Sequence, residues 1–299
     1  MRVEVEAPAK INLFLRVLDR RPDGFHEIDT VFQAVSLADR VVVSVDASRP
    51  SSIALEVDGP DLGAPESNLA YRAVDAFRRG VGVDGAIRVE LTKRIPAGAG
   101  LGGGSSDAAA VLKCLAHATG FDDPAFLRSL GGQLGSDVPF FLGASPLARG
   151  RGRGEQLTGL EPLSEVHLVL ALPAVHVATG PAYSALAAHR HGAAATRASA
   201  EEPGPAWPSS WDEVSARAVN DFEAVILGRH EEIARAHETL RAEGADPVLL
   251  SGSGAAVFGG FGDASSAEHA ALVLEARCGW PFVAVTTLRD MPAVGSHGL

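Results

Sequence analysis

Pro96-Ala97-Gly98-Ala99-Gly100-Leu101-Gly102-Gly103-Gly104-Ser105-Ser106 carries five glycines in eleven residues. An expected strand over residues 86–92 runs into it, and an expected helix over residues 107–118 leaves it. Glycine has no Cβ, so a ligand can approach the main-chain N–H groups closely, and φ > 0 costs little. The start of the following helix adds unpaired N–H groups and a positive dipole end. Loop and helix start together make a site for phosphate.

Several glycine loops share this look. A P-loop places a lysine after its glycines to reach the terminal phosphates, and here Ser105 and Ser106 follow instead. The dinucleotide pattern Gly-x-Gly-x-x-Gly is met by Gly98, Gly100 and Gly103, with Asp122 and Asp123 where a ribose partner is sought. That pattern needs a buried strand entering the first glycine directly. The strand Ile87-Arg88-Val89-Glu90-Leu91 is instead charged on one face, and Lys93-Arg94-Ile95-Pro96 intervene. The protein-kinase loop has the same spacing, but no His-Arg-Asp or Asp-Phe-Gly follows it. A plain flexible turn of this length would be a costly linker between packed elements. The two serines can cap the helix or turn toward phosphate oxygens or Mg²⁺.

The whole chain of 299 residues is 46% hydrophobic, enough for a sizeable core in one large or two medium domains. A net charge of −11 argues against nucleic-acid and anionic-membrane partners, and obliges a polyphosphate site to gather its cations locally. The start MRVEVEAPAK lacks the apolar run of a signal peptide, and no stretch is long and apolar enough to span a bilayer. A cytoplasmic location is the resulting expectation. Cys114 and Cys278 fit a reducing compartment and read as small core residues.

Around the loop, strands are expected over residues 2–6, 11–17, 30–36, 40–45 and 53–57, with a turn at Arg21-Pro22-Asp23-Gly24 and helices over 68–79 and 124–130. The second half reads as strands over 166–172, 248–250, 255–259 and 282–286, with helices over 211–227, 231–243 and 265–277. Residues 189–210 are rich in Ala, Gly, Pro and Ser without an apolar period, and read as a mobile loop.

Three further segments carry chemistry. Ala7-Pro8-Ala9-Lys10-Ile11-Asn12-Leu13-Phe14-Leu15 puts Lys10 and Asn12 on one face of a strand by its period of two. An edge lysine can simply snorkel; beside a phosphate loop, the same pair can bind an anion or position a hydroxyl. Leu134-Gly135-Ser136-Asp137-Val138-Pro139-Phe140-Phe141 sets one carboxylate among apolar neighbours, either a turn aspartate or a general base. Leu250-Ser251-Gly252-Ser253-Gly254-Ala255-Ala256-Val257-Phe258 is a second glycine turn leading into an apolar strand.

Taken in order, these four segments resemble the GHMP kinases, the family of the galactose, homoserine, mevalonate and phosphomevalonate kinases. The resemblance implies an α+β fold of two domains. Residues 1–155 would form an N-terminal mixed sheet with helices carrying the ATP loop. Residues 156–299 would form a ferredoxin-like αβ domain on the substrate side. Asp23-Gly24-Phe25-His26-Glu27-Ile28, the extra glycines before Ser105, and Asn220-Asp221-Phe222-Glu223 narrow the resemblance. They match the branch that phosphorylates the 2-hydroxyl of the methylerythritol portion of a cytidine diphosphate derivative, in the non-mevalonate route to isoprenoids. A small-alcohol kinase of the homoserine or mevalonate type, or a non-catalytic nucleotide-binding homologue, is the alternative.

Carried onto this sequence, the resemblance places ATP on residues 96–106, with Mg²⁺ bridging its phosphates and Ser106 a candidate to touch it. Asp137 becomes the general base, and Lys10 polarises the hydroxyl or the γ-phosphate. Asn68 falls at the adenine side, where it reads equally as a helix N-cap. Asn12 and Thr179 fall on the substrate side. His26 matches a base-recognising histidine. Phe25 departs from the usual tyrosine, so it keeps a stacking face but loses a phenolic hydrogen bond. Tyr183 stands where a second stacking aromatic is expected, or reads as a core tyrosine.

Overall fold

The structure, a computed structural model, describes residues 1–192 and 207–296. The chain opens with two long antiparallel strands, β1 (Arg2–Arg20) and β2 (His26–Asp46). Then come β3 (Ser52–Asp58), helix α1 (Leu69–Val81) and β4 (Ala86–Thr92). The glycine loop leads into α2 (Gly103–Thr119), followed by α3 (Pro124–Leu134), the short α4 (Val138–Leu142) and a hairpin of β5 (Leu147–Arg151) and β6 (Gln156–Gly159). Next are β7 (His167–Ala171), α5 (Thr179–Gly192), α6 (Trp211–Arg217), β8 (Val219–Asn220) and α7 (Glu223–Ile226). The chain continues with α8 (Glu231–Ala242), β9 (Val248–Leu250), β10 (Val257–Phe261), α9 (Ala264–Cys278), β11 (Phe282–Thr286) and β12 (Gly295–Ser296).

The first sheet is mixed, ordered β12-β1-β2-β4-β3. The β5–β6 hairpin adds to β2, and β8 adds to β1 in parallel. The expected domain limit at 155/156 falls inside that hairpin, between paired Arg151 and Gln156. The second sheet is antiparallel, ordered β11-β7-β10-β9. With α8 and α9 as its connecting helices, it has the strand order of a ferredoxin-like unit, with α5 to α7 inserted before α8.

Each expected pair of early strands is one continuous strand. Pro8 interrupts the sequence alternation, and the ladder to β2 slips there: Pro8 pairs with Ala38 but Ala9 with Val35. A proline is tolerated at such a bulge because no ladder N–H is required of it. The bulge also exchanges faces. Val3, Val5 and Ala7 pack into the core under α1 and α2. Beyond it, Ala9, Ile11 and Leu13 pack instead against Leu168, Leu170 and Phe258 of the second sheet. Lys10 and Asn12 are thereby turned to the side of Phe32 and the glycine loop.

Helix α1 is capped as the sequence suggests: the Asn68 side chain accepts the Ala70 N–H at 2.9 Å, and Gly82 closes the end with φ 77°. Its stripe Ala70, Ala73, Val74 and Phe77 is fully buried, with Val74 and Phe77 each contributing about 1.5–3 kcal/mol. Two expected elements differ. Helix α2 begins at Gly103, so the last glycines of the loop are already helical. The expected helix over 211–227 breaks after Arg217, because Val219 and Asn220 pair with Phe14 and Leu15 of β1. Of the expected mobile loop, residues 189–192 belong to α5 and residues 193–206 lie outside the described residues. Among the described residues, no helix is long and apolar enough to cross a membrane.

Candidate active site

Gly98, Gly100 and Gly102 alternate with Ala97, Ala99 and Leu101, and all three glycines hold positive φ, at 71°, 79° and 72°. The intervening carbonyls are taken up by neighbours. Ala99 O accepts the Ala256 N–H, and Leu101 O the Lys10 N–H, both at 2.9 Å. Gly100 O accepts the Ser251 hydroxyl at 3.0 Å. A Cβ at Gly100 would run into the Ser251 carbonyl oxygen, which is why glycine is required there. The N–H groups from Gly98 to Leu101 donate to no protein acceptor among the described residues. They edge a cavity of about 360 Å³ lined by residues 96–105 with Leu62, Asn68, Leu69, Lys93 and Asp107. Asn68 therefore caps α1, one of its two readings, and also lines this cavity.

Ser106 does not join the cavity. Its side chain is 1% exposed, its hydroxyl has no partner, and it faces Pro8, Ala110 and Phe141 beneath α2. The early start of α2 explains this: Ser106 N–H bonds Gly102 O at 2.9 Å inside the first turn, which rotates the side chain into the core. Ser105 takes the position facing the cavity.

Beside the loop, Lys10 Nζ donates to Asn12 Oδ1 at 2.7 Å and lies 3.8 Å from Asp137 Oδ2. Asn12 is held in turn: its Nδ2 donates to Thr30 Oγ1 at 2.7 Å, and its Oδ1 also accepts the Gly252 N–H at 2.9 Å. Lys10 sits over the Phe32 ring, 5.4 Å from its centre. Burial lowers the Lys10 pKa, and the Asp137 carboxylate opposes that shift. Asp137 stands at the N-cap position of α4, but its carboxylate makes no capping bond and stays turned to Lys10. These groups share a cavity of about 330 Å³ with Gly100, Gly102 and Ser105 of the glycine loop.

A third cavity, of about 700 Å³, opens beyond Asp137. Phe25, His26, Thr179 and Tyr183 line it together, whereas Asn12, also expected on the substrate side, stands in the second cavity. The His26 and Tyr183 rings stack at 4.8 Å and 14°, and Tyr183 meets Phe222 edge-on at 4.9 Å. Tyr183 thus backs His26. Burial, and then Arg20 and Arg190, lower the His26 pKa and favour its neutral ring. Burial, with Asp137 adding to it, pushes the Tyr183 hydroxyl up to about 12. Phe25 is 55% exposed. Thr179 Oγ1 lies 3.3 Å from Ser253 Oγ, which ties the second glycine turn to this cavity.

Sequence reasoning missed Arg20 and Arg153, which line the third cavity, and the buried group beneath the glycine loop. Lys93 donates to Asp39 and, at 2.8 Å, to Asp107. Asp39 also accepts the Arg94 and Ile95 N–H groups, at 2.5 and 2.8 Å, so it anchors the start of the loop. Burial pushes Asp107 up to about 7 against the pull of Lys93. Burial alone would lower Lys93, but its two carboxylates overcome this and raise it. A lysine one residue past an alternating strand was the available signal. Arg153 left only a basic residue between two glycines.

Comparison with known proteins agrees with this geometry. The GHMP kinases N terminal domain matches residues 68–144, which hold α1, the glycine loop and Asp137. A 4-diphosphocytidyl-2-C-methyl-D-erythritol kinase of Anaeromyxobacter sp. (strain K) is 42% identical over 93% of this chain and 86% of its own length. A crystal structure of 4-(cytidine 5'-diphospho)-2C-methyl-D-erythritol kinase superposes with a TM-score of 0.76 at 37% identity, over 95% of this chain and 98% of that one. The homoserine kinase of Cytophaga hutchinsonii shares the fold, with a TM-score of 0.72 at 16% identity over 98% of this chain and 97% of that one. The chain belongs to the GHMP kinases, in the family of the 4-diphosphocytidyl-2-C-methyl-D-erythritol kinases.

Proposed function

We propose that this protein transfers the γ-phosphoryl group of ATP to the 2-hydroxyl of 4-diphosphocytidyl-2-C-methyl-D-erythritol, as a step toward isoprenoids. The observation that carries the reading is a run of three cavities with shared walls. Gly100, Gly102 and Ser105 line both the first and second cavities; Gly135, Ser136, Arg153, Thr179 and Tyr183 line both the second and third. Lys10 and Asp137 stand in the middle one, where a donor from one side meets an acceptor from the other.

The triphosphate of ATP fits the glycine loop, where bare N–H groups and the start of α2 offset phosphate charge. Asn68 lies on the adenine side. Asp137 takes the proton of the 2-hydroxyl while that oxygen bonds to the γ-phosphorus and the bond to the departing ADP oxygen breaks. Lys10, fixed by Asn12, places a positive charge beside both the carboxylate and the transferring group. Phosphoryl transfer asks mainly for positioning and charge stabilisation, and a buried lysine held at 2.7 Å supplies both. Mg²⁺ would neutralise phosphate charge when bound, and Ser105, on the wall of two cavities, would offer it a hydroxyl oxygen. At the far end, the neutral His26 ring reads the edge of cytosine while Phe25 offers a stacking face.

A coupled ADP-release assay with the cytidylylated substrate, homoserine and mevalonate tests the reading. Turnover is expected with the first alone. Preferred turnover of either other alcohol would overturn it.

A further inference from the structure

Arg153 sits in the turn of the β5–β6 hairpin, between Gly152 and Gly154, which hold φ of 72° and 106°. The turn is fastened to β2 next to the substrate-side aromatics. Gly152 N–H donates to Glu27 Oε1 at 2.9 Å, and Gly152 O accepts the Ile28 N–H at 2.8 Å. The carboxylates nearby are engaged elsewhere. Glu155 accepts the Arg153 backbone N–H at 2.6 Å. Asp23 and Glu27 pair with Arg21 at 3.2 and 2.7 Å. Among the described residues, no carboxylate lies within ion-pair distance of the Arg153 guanidinium. Its contact is the Phe25 ring, 4.8 Å from centre to guanidinium carbon.

We propose that Arg153 binds the diphosphate of the substrate and sets the preference for a cytidine diphosphate over a bare nucleoside. The inference rests on the substrate class assigned above. A diphosphate joining cytidine to the reacting alcohol must run from the Phe25 and His26 end to Asp137. Among the described residues that line both cavities along that path, Arg153 is the one charged side chain. A guanidinium fork matches phosphate oxygens in pairs, and stacking on an aromatic face orients it beforehand. Phe25 then carries the base on one side and aligns Arg153 on the other. A phenylalanine, unable to hydrogen-bond through a hydroxyl, leaves polar recognition of the diphosphate to the arginine.

The test measures inhibition by cytidine, CMP and CDP against the cytidylylated substrate at saturating ATP, in the wild-type protein and in Arg153→Gln and Arg153→Lys. The expected result is a fall of about tenfold in the CDP-to-cytidine affinity ratio in Arg153→Gln, with partial recovery in Arg153→Lys. The affinity for cytidine and the KM for ATP should hold. An unchanged ratio, or an equal loss for cytidine and CDP, would overturn the assignment, the latter because it reduces Arg153 to a support for Phe25. Failure of the wild-type protein to phosphorylate the cytidylylated substrate would instead sink the functional reading itself.

Discussion

Asp137 and Glu223 are carboxylates at the starts of two short helices, and their surroundings give them opposite roles. Asp137 is 30% exposed on its side chain, makes no capping bond and faces Lys10. Asp137→Asn keeps the shape and removes the proposed base. We expect kcat to fall by about a hundredfold to ten-thousandfold while calorimetric ATP affinity holds; undiminished turnover would remove Asp137 from the chemistry. Glu223 accepts the Leu250 N–H at 2.7 Å, and burial pushes its pKa from 4.5 up to about 7. The folded state therefore keeps a proton that the unfolded chain releases, so stability falls as pH rises from about 4.5 to 7. His237, 3.8 Å away, adds no compensating charge there because burial lowers its own pKa. Glu223→Gln mimics the protonated form. Its stability gain over wild type should be absent at low pH and reach on the order of 3 kcal/mol at pH 8, read by denaturant unfolding at both ends. A gain independent of pH would show that Glu223 is not the titrating group. The pairing of Lys10 with Asn12 was legible because a strand has a period of two. The burial of Glu223 was not, because it depends on Leu250 of β9 and His237 of α8, which tertiary packing brings against it.

Among the elements, the glycine loop makes the sharpest demand on sequence. Gly100 combines a φ of 79° with a Cβ position already filled by the Ser251 carbonyl oxygen. Gly104 lies in the first turn of α2, and a Cβ there would touch only Leu69 Cδ1 at 3.7 Å. Gly100→Ala should cost about 2–4 kcal/mol and raise the KM for ATP, from left-handed strain plus the clash with a backbone oxygen. Gly104→Ala should be neutral or stabilise by up to about 1 kcal/mol. Equal effects in thermal unfolding would mean the loop tolerates other backbone paths. The glycines announced a phosphate cradle from sequence, but not where the helix begins, because Gly103 and Gly104 enter α2 without positive φ. Elsewhere, local patterns yielded to tertiary pairing. Strand β1 looked like two strands because Pro8 breaks its alternation, yet the bulge there absorbs the proline and carries the ladder through. The apolar spacing over residues 211–227 suited one helix, yet β1 recruits Val219 and Asn220 as a short parallel strand.

At the scale of the whole molecule, the two sheets share a core, and the proposed reaction centre lies where their loops meet. Asn220 joins them. Its Nδ2 donates to Leu250 O and Gly252 O at 2.7 and 2.8 Å, and its Oδ1 accepts the Phe222 N–H at 3.0 Å. The same segment reaches β1, where Asp221 accepts the Val17 N–H at 2.8 Å, and α5, where it accepts Arg190 at 2.6 Å. From Gly252 the chain of contacts runs to Asn12 and on to Lys10. Asn220 therefore holds the second glycine turn in register with Lys10, although it touches neither Lys10 nor Asp137. Asn220→Ala leaves two carbonyls and one N–H without their partner, a loss of about 2–5 kcal/mol. Leu240→Ala, in the core behind the second sheet, should cost a similar amount through its cavity alone. The two variants separate stability from positioning. Assayed well below both melting temperatures, Leu240→Ala should keep the wild-type kcat. Asn220→Ala should lose about tenfold or more, because Gly252 no longer fixes Asn12 and the Lys10 ammonium loses its setting. Asn220→Asp should fare worse than alanine, since it turns a carboxylate toward two carbonyl oxygens. Equal kcat in Asn220→Ala and Leu240→Ala would show that the two sheets need only be folded, not latched, for the centre to work.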